Sequence, residues 1–133
     1  MYDEIHNETS SLIRELMNVP ENYYILFLGG GATLQFGMLP MNLMKDGAGC
    51  DYVASGSWAQ KAIKDAKAYG DVRIAYDGSS SGFTSLPDPA EVTVPYDSSY
   101  LHVTSIETIG GVQWKQFPST PSGVPLTADM SSD

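Results

Sequence analysis

Hydrophobic positions recur along the chain first at helical spacing and then in a short unbroken run. Over residues 2–17 the apolar side chains fall on one helical face, and Pro20 ends the pattern. Residues 23–28 (YYILFL) are apolar throughout and lead into the glycines at 29–31. A strand buried on both faces has this pattern. The pattern therefore predicts an amphipathic surface helix followed by a strand of a parallel sheet.

The alternation of helix and strand continues through residue 76. Residues 32–44 (ATLQFGMLPMNLM) are apolar nearly all round, which predicts a helix central to the core. A second strand is predicted at 51–55, and a third at 72–76. Between them lies an amphipathic helix, with Ser57 suited to its N-cap and Gly70 to its stop.

The second half of the chain begins with a long segment at about 77–98 that is rich in proline, glycine and serine. This composition predicts a loop or an excursion over the surface. Strand character returns at 100–104, residues 107–114 look like a strand end and a turn, and a last short strand is predicted at 126–130. The whole order predicts an α/β fold, a three-layer and mainly parallel sheet flanked by helices, in a single unit over residues 1–133.

Composition narrows the classes of partner. The chain has 133 residues, of which 42% are hydrophobic and 17% charged, as expected for one folded unit rather than a disordered chain. Its formal net charge of −9 disfavours binding to nucleic acid and to anionic membranes. Its longest apolar run is too short to span a bilayer. Cys50 is the only cysteine, which fits a reducing compartment and predicts a cytoplasmic protein.

The strand, the three glycines and the following helix form the strongest local feature. Glycines allow close backbone approach, and a helix start offers unpaired N–H donors to an anion. The sequence of this segment fits neither common phosphate-binding motif. A P-loop needs Gly-Lys where Leu34 and Gln35 stand, and the dinucleotide-binding motif needs its third glycine where Leu34 stands. An anion site and a tight turn that needs glycine only for steric reasons both remain open.

Three other residues are candidates for chemistry. Trp58 follows a predicted strand at the carboxyl end of the sheet, where open α/β folds bind ligands, although spacing alone favours a core aromatic. Asp129 lies in an apolar stretch and must be paired or face a cleft. Thr108 is ordinary for a strand end.

The sequence gives little support for a metal site or a nucleophilic cysteine. His6 and His102 lack metal-ligand spacing, which predicts no metal site. Cys50 has no diagnostic motif and reads as a buried thiol. The row Lys61, Lys64 and Lys67 reads as a solvated helix face.

Four segments, taken in order, resemble the phosphoserine aminotransferase family, which comprises pyridoxal-phosphate enzymes of fold type I. They are MNVPENYYILFLGGGATLQFGMLPMNLM, DYVASGSWAQKAIKDAKAYG, YLHVTSIETIGGVQW and GVPLTADMSSD. The likeness runs along nearly the whole chain and is weakest at about 77–98. It implies that the chain is part of the large domain that binds pyridoxal 5′-phosphate.

The resemblance also implies a role for each candidate. Ala32 and Thr33 match the residues that bind the cofactor phosphate, and Trp58 matches the aromatic that stacks on the pyridine ring. Thr108 matches the threonine that hydrogen-bonds the ring hydroxyl oxygen. Asp129 matches the aspartate that pairs with the pyridine nitrogen and keeps it protonated.

In the family, the lysine that forms the Schiff base lies in a segment beyond Asp133, and the substrate-binding arginine and histidine lie before Met1. We therefore expect no catalytic residue in this chain and no transaminase activity from it alone. The full enzyme implied by the resemblance is a homodimer that transfers an amino group from glutamate to 3-phosphohydroxypyruvate in serine biosynthesis. None of the lysines matches the catalytic position: Lys45, Lys61, Lys64, Lys67 and Lys115.

Two alternatives from other classes stay open. The chain could be a non-catalytic module that binds some other phosphate ligand at 29–33, or a fragment that pairs with a partner chain through exposed apolar surface. Trp58 and Asp129 separate the first alternative from the cofactor hypothesis. A pyridine ring needs a stacking face and a carboxylate at its nitrogen, whereas a simple phosphate needs neither.

Overall fold

A four-stranded sheet organises the computed structural model, which describes residues 1–133. Three α-helices and six strands are present: α1 (Tyr2–Leu16), α2 (Gly31–Leu43), β1 (Cys50–Ala54), α3 (Ser57–Ala66), β2 (Val72–Asp77), β3 (Leu101–Thr104), β4 (Ile106–Glu107), β5 (Val112–Gln113) and β6 (Leu126–Asp129). The main sheet has the order β2-β1-β3-β6 and all its pairs are parallel. Strands β4 and β5 form a separate antiparallel pair. None of the helices has the length and apolar content needed to cross a membrane.

The two faces of the sheet carry two separate apolar clusters. Helices α2 and α3 pack on one face over a cluster made of Phe36, Cys50, Tyr52, Ala54, Ala62, Ile63, Ala66 and Tyr100. Irregular segments cover most of the other face, whose cluster is Val53, Val92, Val94, Leu101, Val103, Trp114 and Val124. Burial of these side chains supplies the main driving force for the fold. The predicted α/β class, a mainly parallel sheet flanked by helices, is confirmed.

An ion pair joins the second residues of β1 and β2, Asp51 and Arg73. Asp51 is buried, and its carboxylate accepts a 2.8 Å hydrogen bond from Nη2 of Arg73, its direct neighbour in the register. Asp97 adds a looser, exposed partner at 3.7 Å from Arg73 Nη1. A buried charge needs such a partner, so the pair allows a carboxylate inside the sheet.

The predicted strand at 23–28 is wrong. These residues form no strand, and most of their side chains are exposed, Tyr24 to 91%. A strand requires a neighbour for its ladder of hydrogen bonds, and no strand of this chain pairs with this segment. The apolar run is typical of a strand buried on both faces, but in this chain the segment has no sheet edge to join and stays largely exposed.

Helix α2 is also less buried than its sequence predicts. Only Phe36 and Pro40 are buried, and the other side chains are partly or fully exposed. One side of α2 faces an open apolar cavity of about 660 Å³ between the helix and β6. The helix is therefore a wall of that cavity rather than a central element of the core.

The remaining boundaries agree closely with the sequence predictions, with two local corrections. Gly56, not Ser57, is the N-cap of α3, and the helix ends at Ala66 with Lys67 as its C-cap rather than near Gly70. The long segment after β2 contains two short 3₁₀ helices, Gly78–Ser81 and Pro89–Glu91, and is otherwise irregular. Residues 107–114 contribute to the small β4–β5 pair.

Candidate functional site

A cavity of about 250 Å³ lies where β1, β3 and β6 end and α2 begins. The carboxyl ends of parallel strands are where open α/β sheets bind ligands. All five residues singled out from the sequence line this cavity, although they come from four separate segments. Its full lining is Gly31, Ala32, Thr33, Phe36, Trp58, Ile106, Thr108, Asp129, Ser131 and Ser132.

One end of the cavity is the N-terminus of α2. Ala32 and Thr33 lie in the first turn, so their N–H groups lack intrahelical acceptors, and the N-cap Gly30 has no side chain that could accept from them. Gly30 and Gly31 both have left-handed backbone angles, with φ of 88° and 59°, and a Cβ at Gly30 would lie 2.5 Å from Leu34 Cδ2. Sterics therefore require glycine here, and the turn they permit leaves unpaired donors and the positive end of the helix dipole facing the cavity.

Lys61 brings a positive charge to the same end. Its Nζ donates a 3.1 Å hydrogen bond to Thr33 Oγ1 and lies 5.7 Å from the centroid of the Trp58 ring. Lys61 is exposed, as its interpretation as part of a solvated helix face predicted, but its head group also contacts two residues that line the cavity. The sequence did hold a signal: Lys61 is one helical turn after Trp58, and residues three apart lie on the same helix face.

Trp58 forms an aromatic wall of the cavity rather than part of the core. Its side chain is half-buried, and Nε1 donates a 2.9 Å hydrogen bond to Thr108 Oγ1. The core-aromatic interpretation, which spacing alone favoured, is therefore wrong. The hydrogen bond holds the indole in one orientation beside the exposed hydroxyl of Thr108.

Asp129 is the last residue of β6 and faces the cavity. Its Oδ1 accepts hydrogen bonds from the backbone N–H of Ser131 at 3.1 Å and from Ser131 Oγ at 2.6 Å. No cationic side chain lies within ion-pair distance. The sequence left two possibilities for this carboxylate, an ion pair or a position at a strand end facing a cleft, and the structure has the second.

Glu107 lies just behind these residues and was missed in the sequence. It is fully buried, and its carboxylate accepts three hydrogen bonds at the start of α3: from Ala59 N and Trp58 N, both at 2.9 Å, and from Ser55 Oγ at 3.2 Å. Its position next to Thr108 at a strand end was the only local sign of a role.

Two other titratable groups lie deeper in the fold. His102 is buried on β3, with Nδ1 3.1 Å from Thr127 Oγ1, and burial lowers its pKa to about 4 against a smaller opposing effect of Asp129. Burial raises the pKa of the Cys50 thiol, which keeps it protonated and unreactive. No cluster of three or more His, Cys, Asp or Glu side chains is arranged to hold a metal ion.

The chemistry of the cavity is therefore asymmetric. One end offers helix N–H donors and a lysine, which suit an anion such as phosphate. The rest of the lining offers the face of Trp58, the hydroxyl of Thr108 and the carboxylate of Asp129, which has no cationic partner. A flat heterocycle that carries both a phosphate and a protonated ring nitrogen would satisfy all of these groups.

Comparisons with known proteins agree with this chemistry. The chain is 50% identical over 129 residues to phosphoserine aminotransferase of Laribacter hongkongensis, a match that covers 97% of this chain and 35% of that protein. A solved phosphoserine aminotransferase from Bacillus circulans subsp. alkalophilus superposes with a TM-score of 0.93 at 45% identity, over 97% of this chain and 36% of the other.

A more distant solved structure has the same fold. It is a phosphoserine aminotransferase from Trichomonas vaginalis with bound PLP, with a TM-score of 0.87 at 33% identity, over 98% of this chain and 39% of the other. The chain thus spans just over a third of the length of the relatives it matches. The family model for class-V aminotransferases matches residues 1–131. Since that match covers almost all of the sequence, the chain belongs to the class-V aminotransferase family.

Proposed function

We propose that this chain is the cofactor-binding part of a phosphoserine aminotransferase that uses pyridoxal 5′-phosphate. The observation that carries the proposal is that one cavity combines a helix N-terminus, an aromatic face and an unpaired carboxylate. A phosphate site alone would need only the first. The names of the relatives, and the bound PLP of the Trichomonas vaginalis structure, support the same assignment.

The residues of the cavity fit this cofactor group by group. Ala32 and Thr33 would hold the phosphate with their backbone N–H groups, while Lys61 adds charge complementarity. Trp58 would stack on the pyridine ring. A volume of about 250 Å³ lies close to the lower end of the range for small-molecule pockets.

Asp129 and Thr108 would bind the polar atoms of the pyridine ring. The Asp129 carboxylate would accept a charge-assisted hydrogen bond from the protonated pyridine nitrogen and so keep it protonated. Thr108 would donate its hydroxyl proton to the ring oxygen. When bound, the cofactor supplies a protonated ring that acts as an electron sink for bonds at the substrate α-carbon.

The reaction of the whole protein is part of the same proposal. It transfers the amino group of glutamate to 3-phosphohydroxypyruvate, giving phosphoserine and 2-oxoglutarate. None of the lysines of this chain matches the position of the Schiff-base lysine in the family. The unit at 1–133 would then work within a cytoplasmic homodimer, as the resemblance implies.

A titration of the chain with 4-deoxypyridoxine 5′-phosphate tests the cofactor assignment. This analogue lacks the aldehyde, so it cannot form imines with surface lysines and obscure the result. Tryptophan fluorescence is read in a Trp114→Phe background, where Trp58 is the only reporter. Trp114 is buried and its indole nitrogen has no hydrogen-bond partner, so phenylalanine leaves no polar group newly unpaired.

The expected result is saturable quenching of Trp58 fluorescence that is weakened at least tenfold by Asp129→Asn. Inorganic phosphate should compete only weakly, because it lacks the ring. If phosphate competes as well as the analogue and Asp129→Asn has no effect, the non-catalytic phosphate module is the better assignment. Absence of any binding would count against the cofactor site in this chain.

A further inference from the structure

The Glu107 carboxylate is fully buried, and its three hydrogen bonds all come from one short stretch of chain. Its donors are Ser55, Trp58 and Ala59, which surround the first turn of α3. Burying a carboxyl group is unfavourable unless hydrogen-bond donors replace its lost hydration. The two backbone N–H groups and the dipole of α3 supply that replacement. The carboxylate therefore serves as the cap that the N-terminus of α3 lacks, since Gly56 has no side chain.

The backbone at Gly56 is shaped around this carboxylate. A Cβ built on Gly56 would lie 2.6 Å from Glu107 Cδ and 2.7 Å from Oε2, closer than real Cβ atoms approach. The φ of Gly56 is 170°, an extended value open to any residue, so the close approach and not the backbone angle requires glycine. The glycine and the carboxylate thus form one fitted contact directly before the helix that carries Trp58.

Glu107 and its neighbour Thr108 hold the two ends of the same tryptophan. Glu107 Oε2 accepts from the backbone N–H of Trp58, and Thr108 Oγ1 accepts from its indole N–H, each at 2.9 Å. Trp58 has only two side-chain torsions. Fixing the backbone nitrogen and the indole nitrogen against two adjacent residues leaves both torsions determined.

We propose that Glu107 is a positioning residue, which sets the plane of the Trp58 ring for stacking on the cofactor. This role rests on the proposed pyridoxal phosphate site. Glu107 touches no part of the cavity itself and acts through Trp58 and the register between α3 and Thr108. A preformed ring plane favours binding because the stacking face needs no ordering when the ligand arrives.

Amide hydrogen exchange of the ¹⁵N-labelled chain without any ligand tests this role directly. The variant is Glu107→Gln, which puts an NH₂ group against one of the two backbone donors and so removes an acceptor. Glu91→Gln is the matched control, because Glu91 is exposed and far from α3 in sequence. Amides of β2 report global stability in each sample.

We expect Glu107→Gln to speed exchange at the Trp58 indole N–H and at the Trp58 and Ala59 amides at least tenfold, with β2 amides changed less than threefold. Affinity for 4-deoxypyridoxine 5′-phosphate should fall about tenfold in the same variant. Glu91→Gln should change neither measurement. Exchange at the Trp58 indole that is unchanged in Glu107→Gln would overturn the proposal.

A second variant covers the case in which Glu107→Gln does not fold. Glu107→Asp keeps the carboxyl group but shortens the side chain, so it should loosen the Trp58 indole while β2 stays protected. If both variants lose all protection together, Glu107 is a general stability residue and the positioning role is wrong. If the unsubstituted chain binds no analogue but the indole exchange behaves as expected, the positioning of Trp58 stands and the proposed cofactor site is what fails.

Discussion

Thr108 Oγ1 accepts its 2.9 Å hydrogen bond from Trp58 Nε1, an atom that can only donate. The hydroxyl proton of Thr108 therefore has to point elsewhere, and the exposed side of this group faces the cavity. Because of this contact, the Thr108 hydroxyl acts as a hydrogen-bond donor toward a ligand in the cavity. The contact also couples the hydroxyl to the aromatic wall.

Replacing Thr108 with valine should weaken binding of 4-deoxypyridoxine 5′-phosphate about tenfold, which corresponds to roughly 1.4 kcal/mol. The variant loses both the donor toward the ring oxygen and the acceptor for the indole. Thr108→Ser is the control, because it keeps the hydroxyl and should stay within threefold of the unsubstituted chain. Equal affinities of the valine and serine variants would contradict the assigned hydrogen bonds.

Lys61 should contribute to affinity through charge. Lys61→Gln removes the cation beside Thr33, so we expect analogue affinity to fall several-fold at low salt. The loss should shrink as salt is raised, because added ions screen the interaction in the unsubstituted chain. Lys64→Gln, at an exposed position on the same helix, is the control and should have little effect. A similar loss in both variants would point to net charge alone.

Part of this site could be predicted from local sequence signals, whereas the roles of Trp58 and Thr108 come from the family resemblance, because spacing favours a core aromatic for Trp58 and Thr108 is ordinary for a strand end. The glycines mark Ala32 and Thr33, and Asp129 is conspicuous in an apolar stretch. Lys61 and Glu107 could not be assigned in the same way. Their roles depend on contacts made 28 and 49 residues away, between segments whose side-chain distances only the folded sheet determines.

The fold shows the same division. The strands β1, β2, β3 and β6 were all predicted near their observed positions, since their apolar runs are bounded by turn residues. The run at 23–28 has an equally strong local pattern but forms no strand. Whether an apolar run becomes a strand depends on a neighbour to pair with, and no local pattern contains that information.

His102 should make the stability of the chain depend on pH. Its folded pKa of about 4 lies below the ordinary 6.5, so the unfolded chain binds the proton more readily. The stabilisation from the neutral ring is complete above pH 6.5 and decreases as pH falls through that value toward 4. We expect the free energy of unfolding in urea to be about 2 kcal/mol lower at pH 5 than at pH 7 from this group.

Comparison of two histidine variants isolates this effect. His102→Gln should lose most of the decrease between pH 7 and pH 5, because glutamine does not titrate. His6→Gln, at an exposed position on α1, should keep it. The assignment fails if both variants show the same decrease.

The Asp51–Arg73 pair should contribute to the stability of the fold and have no effect on ligand binding in the cavity. Arg73→Met leaves the Asp51 carboxylate buried without its partner, and we expect a loss of about 2 kcal/mol, less than for a fully buried pair because Arg73 is partly exposed. The double variant Asp51→Asn with Arg73→Met should recover part of that loss. Urea unfolding measures both.

Two controls accompany that measurement. Asp97→Asn removes the looser, exposed contact and should change the free energy of unfolding by less than about 0.5 kcal/mol. Affinity for the cofactor analogue should be unchanged in Arg73→Met, since the pair lies at the opposite ends of the strands. A loss in Arg73→Met no larger than in Asp97→Asn would show that Asp51 tolerates burial without its partner.

The buried contact of Glu107 with the start of α3 has a consequence for refolding. In the unfolded chain this carboxylate is hydrated, and it can leave water only when the amides of Trp58 and Ala59 are presented to it together. The segment after β3 and the first turn of α3 must therefore dock in one step. We expect no populated intermediate in which the tryptophan is in place but the threonine beside it is not.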